Sequence, residues 1–356
     1  MIAAPRPGAA AVVDRVLAET RALTLQTLLE LIPRDPRLSE FYETVVEYPL
    51  RASKAIRPAL CLAASRAHGG TSEDAIGAAT AIELMHSAFL VHDDICDGAA
   101  RRRGAPALHV RHGLPLALTA GDALAWLALE PLLASADRLG GGLALDVLAE
   151  LQHMTRRTIE GQAAELAARQ RPPGQLGTDD YLRVVLDKTC WYSAIHPCRV
   201  GALIGSRGEA DLDAIARFGF FLGAVLQIRD DIENVTDRDE LGGKEFGGDV
   251  IEGKPTLMLI HLRGAMPPDL RTELDGLVGP LGQLSGAPGE PERVERVVGL
   301  MQEHGSIDYA CAFADGLAGA ALAEFDAAMG WLPESEDKLF LRSVVLHLRD
   351  PAVRGR

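Results

Sequence analysis

The stretch from His86 to Gly104, HSAFLVHDDICDGAARRRG, decides how the chain is read. An apolar run ends in three carboxylates, Asp93, Asp94 and Asp97, and three arginines, Arg101 to Arg103, follow within one short loop. On a helix, Asp93 and Asp97 lie four apart and share a face. Like charges placed so repel unless something cationic sits between them. A hard divalent ion such as Mg²⁺ takes oxygen ligands of this kind and typically brings substrate phosphates with it. A basic cluster beside such an ion would hold those phosphates.

Working outward, the same spacing recurs in QIRDDIEN, with Gln227, Asp230, Asp231 and Asn234. Each cluster closes a strongly apolar run, ELMHSAFLV in one case and RFGFFLGAVLQI in the other. Acidic helix ends are common and mostly solvated. Two of them, each ending a helix apolar enough to be buried, point instead to metal binding at a cavity rim. Cations gather at the neighbouring helix ends: Lys54 and Arg57, Arg102 and Arg103, Lys244 and Lys254. Lys188 interrupts an otherwise apolar helix. Any one of them alone reads as a surface charge; beside two acid clusters they read as diphosphate clamps.

Composition sets the frame. Of 356 residues 47% are apolar and only 5% aromatic, and Ala and Leu dominate, which favours helix over sheet. With 36 Lys+Arg against 50 Asp+Glu the formal charge is −14, so nucleic-acid binding is not expected. The five cysteines, Cys61, Cys96, Cys190, Cys198 and Cys311, are scattered with no Cys-x-x-Cys pair, the pattern of a reducing, cytoplasmic compartment. Pro5 and Pro7 break the N-terminus and no signal peptide is expected. The longest apolar stretch, about Leu114 to Ala136, carries Asp122, Glu130, Pro115 and Pro131 and reads as a buried helix rather than a membrane span.

Apolar spacing predicts an all-α chain: a disordered tail over residues 1–10, then one helical domain over residues 11–356. The expected helices are Ala11–Ile32, Leu38–Glu47, one from Ile56 to the Gly69-Gly70 stop, Asp74–Asp97, Pro115–Leu139, Gly142–Arg169, Thr178–Gly205, Glu209–Thr236, Leu257–Arg263, Pro291–His304, Ile307–Met329 and Glu336–Leu348. Gly264–Glu290, rich in Pro and Gly, reads as an irregular excursion. No strand-period alternation competes, and no repeat is present.

The ordered motifs SKAIRP, DDICD-GAAR-RRG, DKT, QIRDDIEN, GGK and EGKPT resemble the trans-isoprenyl diphosphate synthase (polyprenyl synthetase) family over nearly the whole chain. The resemblance implies an isoprenoid-synthase-like helical bundle around a large central cavity and, with it, a homodimer. The implied reaction is the Mg²⁺-dependent head-to-tail condensation of isopentenyl diphosphate with an allylic diphosphate, with up to three ions. Lys54, Arg57, His86 and Arg103 would grip the isopentenyl diphosphate, and Arg102, Lys188 and Lys244, with Lys254 nearby, the allylic one. Asp93, Asp97 and Asp230 would bind the ions, supported by Asp94 and Asp231, while Thr189 and Gln227 offer oxygen dipoles to a developing carbocation. Arg101 has no such role and is expected to be solvated. Two departures stand out. Asn234 replaces the family's usual Asp and removes a negative charge, and Ser53 precedes Lys54 where the family has Gly.

The resemblance also puts the ruler for product length on the helix before Asp93. Ala88, five before Asp93, is small where farnesyl producers resemble an aromatic; Phe89 could narrow the floor, and Met85 or Trp126 could form a deeper one. The expected product is geranylgeranyl diphosphate, with farnesyl diphosphate as the alternative. A class I terpene cyclase would not need Lys54, Arg57 and Arg103, and a non-catalytic partner subunit would have lost acids from one cluster.

Overall fold

The computed structural model describes residues 9–171, 175–237, 246–278 and 289–349. Each acid cluster ends a long helix. The first acid helix, Ser72–Asp97, begins at a capping box: Thr71 Oγ1 accepts from the Asp74 N–H at 3.2 Å, and Asp74 Oδ2 accepts from the Thr71 N–H at 3.0 Å. It stops at Gly98, whose φ of 66° is the left-handed conformation of a C-terminal cap. Its run from Ala78 to Ala88 is buried throughout, as an apolar sequence without helical periodicity requires. The second acid helix, Leu212–Thr236, is capped by Asp211, whose side chain accepts from the N–H groups of Asp213 at 3.1 Å and Ala214 at 3.0 Å. Phe218 on this helix meets Phe325 of the Ser306–Met329 helix edge to face at 5.5 Å.

Between the acid helices runs a rod whose middle is wound more widely than expected. Thr178–Val185 is α-helical, Leu186–Ile195 is a π-helix, and His196–Gly205 is α-helical again. Runs of π-helix concentrate at functional sites, and this one carries Lys188, Thr189, Tyr192 and Ser193. Three glycines let its neighbours close on it. A Cβ on Gly161 of the Gly141–Arg169 helix would lie 2.6 Å from Lys188 Cα. On Gly219 or Gly223 of the second acid helix it would lie 2.6 Å from Ile195 Cα or 2.8 Å from Cys190 Cα. No larger side chain fits at these crossings.

Elsewhere the apolar spacing locates the helices to within a few residues: Ala9–Leu31, Ser39–Leu50, Ile56–Ala67, Leu257–Ala265, Glu290–Glu303, Ser306–Met329 and Glu336–Arg349. The first of these takes in Ala9 and Ala10, placed in the tail by sequence. Three further expectations about elements are corrected. Pro115–Leu139 is not one helix but three, Leu114–Leu127, Leu129–Ala134 and Ala136–Leu139; Pro131 has no N–H for the Leu127 carbonyl and its ring crowds it. Part of the supposed excursion is helical, Pro268–Val278. The loop of arginines is a small antiparallel ribbon, Arg101–Arg102 on Ala105–Pro106, turned by Arg103 and Gly104 at φ 50° and 76°.

Among the described residues two stretches, Ser72–Asp97 and Leu114–Ala134, are long and apolar enough to cross a membrane. The first is a core helix. The second is not the buried helix its sequence suggests: Leu114, Trp126 and Leu133 are 50%, 73% and 62% exposed, and Leu118 joins them on the surface.

Candidate active site

Both acid helices deliver their C-terminal ends to one cavity of about 640 Å³. A helix C-terminus carries negative partial charge of its own, so acids there need cations close by. At the first cluster they are all present. Lys188 lies 3.1 Å from Asp93 and 2.9 Å from Glu165. Arg169 donates to Asp97 Oδ1 at 2.8 Å and pairs with Glu165, while Lys254 reaches Asp97 Oδ2 at 2.9 Å. Arg102 donates through Nε to Asp94 at 2.7 Å and stands 3.8 Å from Asp93. Burial works to raise the Asp93 pKa, and Lys188, Lys254 and Arg102 override it, holding the carboxyl well below the usual range. Burial likewise pushes Glu252 up to about 8, Lys254 opposing and Asp97 and Asp249 adding to the rise.

Asp94 turns away from the cavity. Fully buried, it takes the Tyr48 hydroxyl and Arg102. It fixes the arginine ribbon rather than facing a substrate.

At the second cluster, neutral donors among the described residues hold Asp231. Asp231 accepts from the Tyr181 hydroxyl at 2.8 Å and from Gln227 Nε2 at 2.7 Å, and Gln227 Oε1 in turn accepts from Thr189 at 2.8 Å. Burial and then Asp231 raise the Tyr181 pKa well above normal, so it remains a donor. Asp230 is exposed to the cavity mouth. Asn234 Oδ1 accepts from the Asp249 N–H at 3.0 Å, so its oxygen anchors the short Gly248–Ile251 helix that brings in Asp249 and Lys254.

A second basic pocket opens on the same cavity, lined by Lys54, Arg57, His86 and Arg103. Arg57 and Arg103 approach His86 Nε2 at 3.4 and 3.3 Å. Guanidiniums only donate, so Nε2 accepts. Burial, then Arg57 and Arg103, depress the His86 pKa well below normal and keep the ring neutral. Arg57 also donates to Ser193 at 2.8 Å and to the Tyr192 hydroxyl at 3.2 Å, with its guanidinium 4.6 Å from the Tyr192 ring centre. Ala55 and Arg103 both sit at positive φ, 49° and 50°. Such non-glycine strain costs about 1–3 kcal/mol per residue and gathers at ligand clamps.

The polyprenyl synthetase family model matches residues 39–283. The chain belongs to the polyprenyl synthetase family. It is 32% identical to the short chain isoprenyl diphosphate synthase of Methanothermobacter thermautotrophicus, over 79% of this chain and 85% of that one. It is also 32% identical to the geranylgeranyl diphosphate synthase of Methanosarcina mazei, over 79% and 81%. The solved geranylgeranyl pyrophosphate synthetase of Pyrococcus horikoshii overlays with a TM-score of 0.82 at 28% identity, covering 96% of this chain and 98% of that one. The synthetase is thus a prenyltransferase with the all-α fold of its relatives.

The synthetase gathers most of the residues singled out in its sequence onto one cavity: Lys54, Arg57, His86, Asp93, Arg102, Arg103, Lys188, Thr189, Gln227, Asp230, Asp231, Asn234 and Lys254. Lys244 lies outside the described residues. Arg101 is exposed, donating to the Gly104 carbonyl at 2.8 Å. Asp97 is beneath the lining, its side chain 1% exposed under Arg169 and Lys254. The ruler residues are placed differently from expectation. Met85 and Ala88 are buried in the apolar core and do not line the cavity, and Trp126 is on the outer surface. Phe89 packs edge-on against Tyr192 at 5.5 Å, and Tyr192 does line it.

Sequence reasoning missed Tyr48, Glu165, Arg169, Tyr181, Tyr192 and Asp249. Glu165 and Arg169 sit four apart on one helix and could have been read as a pair; the tyrosines left no local signal. Among the described residues no three His, Cys, Asp or Glu side chains converge into a ready-made ion site. Magnesium uses one or two carboxylates and completes its shell with phosphate and water. Asp93 Oδ1 and Asp97 Oδ2 are buried, with lysine ion pairs but no aligned hydrogen bond, so hard oxygen lone pairs are available there.

Proposed function

We propose that this synthetase joins isopentenyl diphosphate head to tail to an allylic diphosphate, giving geranylgeranyl diphosphate. The observation that carries the reading is two separate cationic pockets on one cavity, Arg57–His86–Arg103 and Arg102–Lys188–Lys254, with Thr189 and Gln227 on the same wall. A cyclase would need only one of them. Asp93, Asp97 and Asp230 are the residues that would hold magnesium, up to three ions, and the ions would supply positive charge against the leaving diphosphate.

The chain's own groups do the rest. Lys188, Lys254 and Arg102 hold the allylic diphosphate and take up negative charge as its C–O bond breaks. Arg57, Arg103 and Lys54 fix isopentenyl diphosphate so that its double bond faces the allylic carbon. The Thr189 hydroxyl and Gln227 amide present oxygen dipoles to the cation. Leu90, Val185 and Leu226 on the cavity wall keep water from quenching it. The proton lost from the new chain passes to a diphosphate oxygen; His86, engaged by two guanidiniums, is not the base.

The names of the relatives support a geranylgeranyl product. The farnesyl alternative is favoured by one feature, the packing of Phe89 behind the cavity-lining Tyr192. The exposed leucines and Trp126 of Leu114–Ala134 support a homodimer through that face, and five free cysteines accord with the cytoplasm. Incubation with labelled isopentenyl diphosphate and each allylic starter, then chromatography of the dephosphorylated products, tests both parts. Diphosphate release must need both substrates; release from the allylic substrate alone would overturn the condensation. The Phe89→Ala enzyme is expected to make a longer product.

A further inference from the structure

We infer that Arg169 is a positioning residue that sets how tightly the first acid cluster binds a divalent ion before any diphosphate arrives. The inference rests on the metal-dependent reading above.

Arg169 closes the Gly141–Arg169 helix, at the C-terminal end where a cation is electrostatically favoured. Its side chain is 2% exposed and bridges Asp97 Oδ1, at 2.8 Å, to Glu165. Glu165 is shared with Lys188 at 2.9 Å, and Lys188 continues to Asp93 at 3.1 Å. Asp97, Arg169, Glu165, Lys188 and Asp93 thus form one chain of ion pairs, tying the two carboxylates of the first cluster together from beneath. Arg169 Nε is buried with no acceptor among the described residues. Burying such a donor is costly, and packing alone does not explain why the site keeps a guanidinium there.

The cations around the cluster differ in what they can do. Lys188 and Lys254 are point charges on flexible stems, both lining the cavity, and can turn toward an incoming diphosphate. Arg169 is absent from the lining and its planar fork is fixed on two carboxylates. When the lysines leave, it stays. Asp97 Oδ1 is therefore committed to Arg169, and Asp97 offers a metal only Oδ2. Without Arg169, Asp93, Asp97 and Glu165 would face Lys188 and Lys254, with Arg102 beside Asp93, and an ion would gain both attraction and a second oxygen.

The test uses the full chain with Mn²⁺ as the probe, followed by electron paramagnetic resonance with and without inorganic pyrophosphate, alongside thermal melts. In Arg169→Gln the Kd for Mn²⁺ without pyrophosphate should fall at least tenfold, and a further Asp97→Asn change should abolish the gain. A folded Arg169→Gln protein with unchanged Mn²⁺ affinity would overturn the inference and leave Arg169 a brace. If the glutamine variant does not fold, Arg169→Lys decides: lysine cannot span both carboxylates, so about threefold tighter binding is expected and an unchanged Kd refutes it. Wild-type protein that binds no Mn²⁺ even with pyrophosphate would fail the metal reading itself, and this inference with it.

Discussion

The two acid helix ends share one sequence pattern and differ in the described residues that hold their carboxylates. Asp93, Asp94 and Asp97 each meet a lysine or arginine, and Asp94 and Asp97 are almost wholly buried. At the second end Asp231 is held by a phenol and an amide, and Asp230 stands at the open mouth. The first end therefore contributes to the cohesion of the fold as well as to chemistry; the second contributes mainly to chemistry. A repeated motif does not imply a repeated environment.

The sharpest way to break that comparison is to neutralise one acid at each end. Asp93→Asn and Asp230→Asn are each expected to lower kcat/KM on the order of a thousandfold, as loss of a major electrostatic stabiliser does; steady-state kinetics at saturating Mg²⁺ measure it. An intact Asp230→Asn enzyme would leave the first end as the only working cluster.

Stability should separate the two ends. Asp97→Asn leaves the buried Arg169 with Glu165 and takes a carboxylate from Lys254, and is expected to cost about 3 kcal/mol in urea unfolding. Asp230→Asn, at an exposed position, should stay within about 0.5 kcal/mol of wild type. Equal losses would refute the asymmetry.

The two tyrosine props make a finer test. Tyr48→Phe removes a donor to Asp94 and leaves the Leu108 N–H, 3.2 Å from the hydroxyl, without its acceptor. Tyr181→Phe removes a donor to Asp231 and leaves the Gln227 amide in place. Losses of about 2–3 and about 1 kcal/mol are expected in that order by the same unfolding measurement, and the reverse order would mean that Asp94 is the less dependent carboxylate. The smallest effect is Asn234→Asp. A carboxylate oxygen can still accept from the Asp249 N–H, and the added charge should lower the Mg²⁺ concentration for half-maximal activity by roughly threefold.

Helix positions were legible because apolar spacing and caps act within a few residues: Thr71 with Asp74, Gly98 as a stop, Asp211 as a cap. The break at Leu127 could have been read from Pro131. The π-helical winding of Leu186–Ile195 could not, because close approach of Gly161, Gly219 and Gly223 from neighbouring helices accompanies it.

What the sequence determined by itself is the helical class, the two acid helix ends, and the set of cations close to them along the chain. Spacing on one helix fixes which side chains share a face, and that information is local. Which carboxylates stay available to a metal was decided only by tertiary structure. Tyr48 reaches Asp94 across 46 residues, Tyr181 reaches Asp231 across 50, and Arg169 reaches Asp97 across 72. Those pairings depend on how distant helices pack, and charge alone does not say which cation a buried acid will meet.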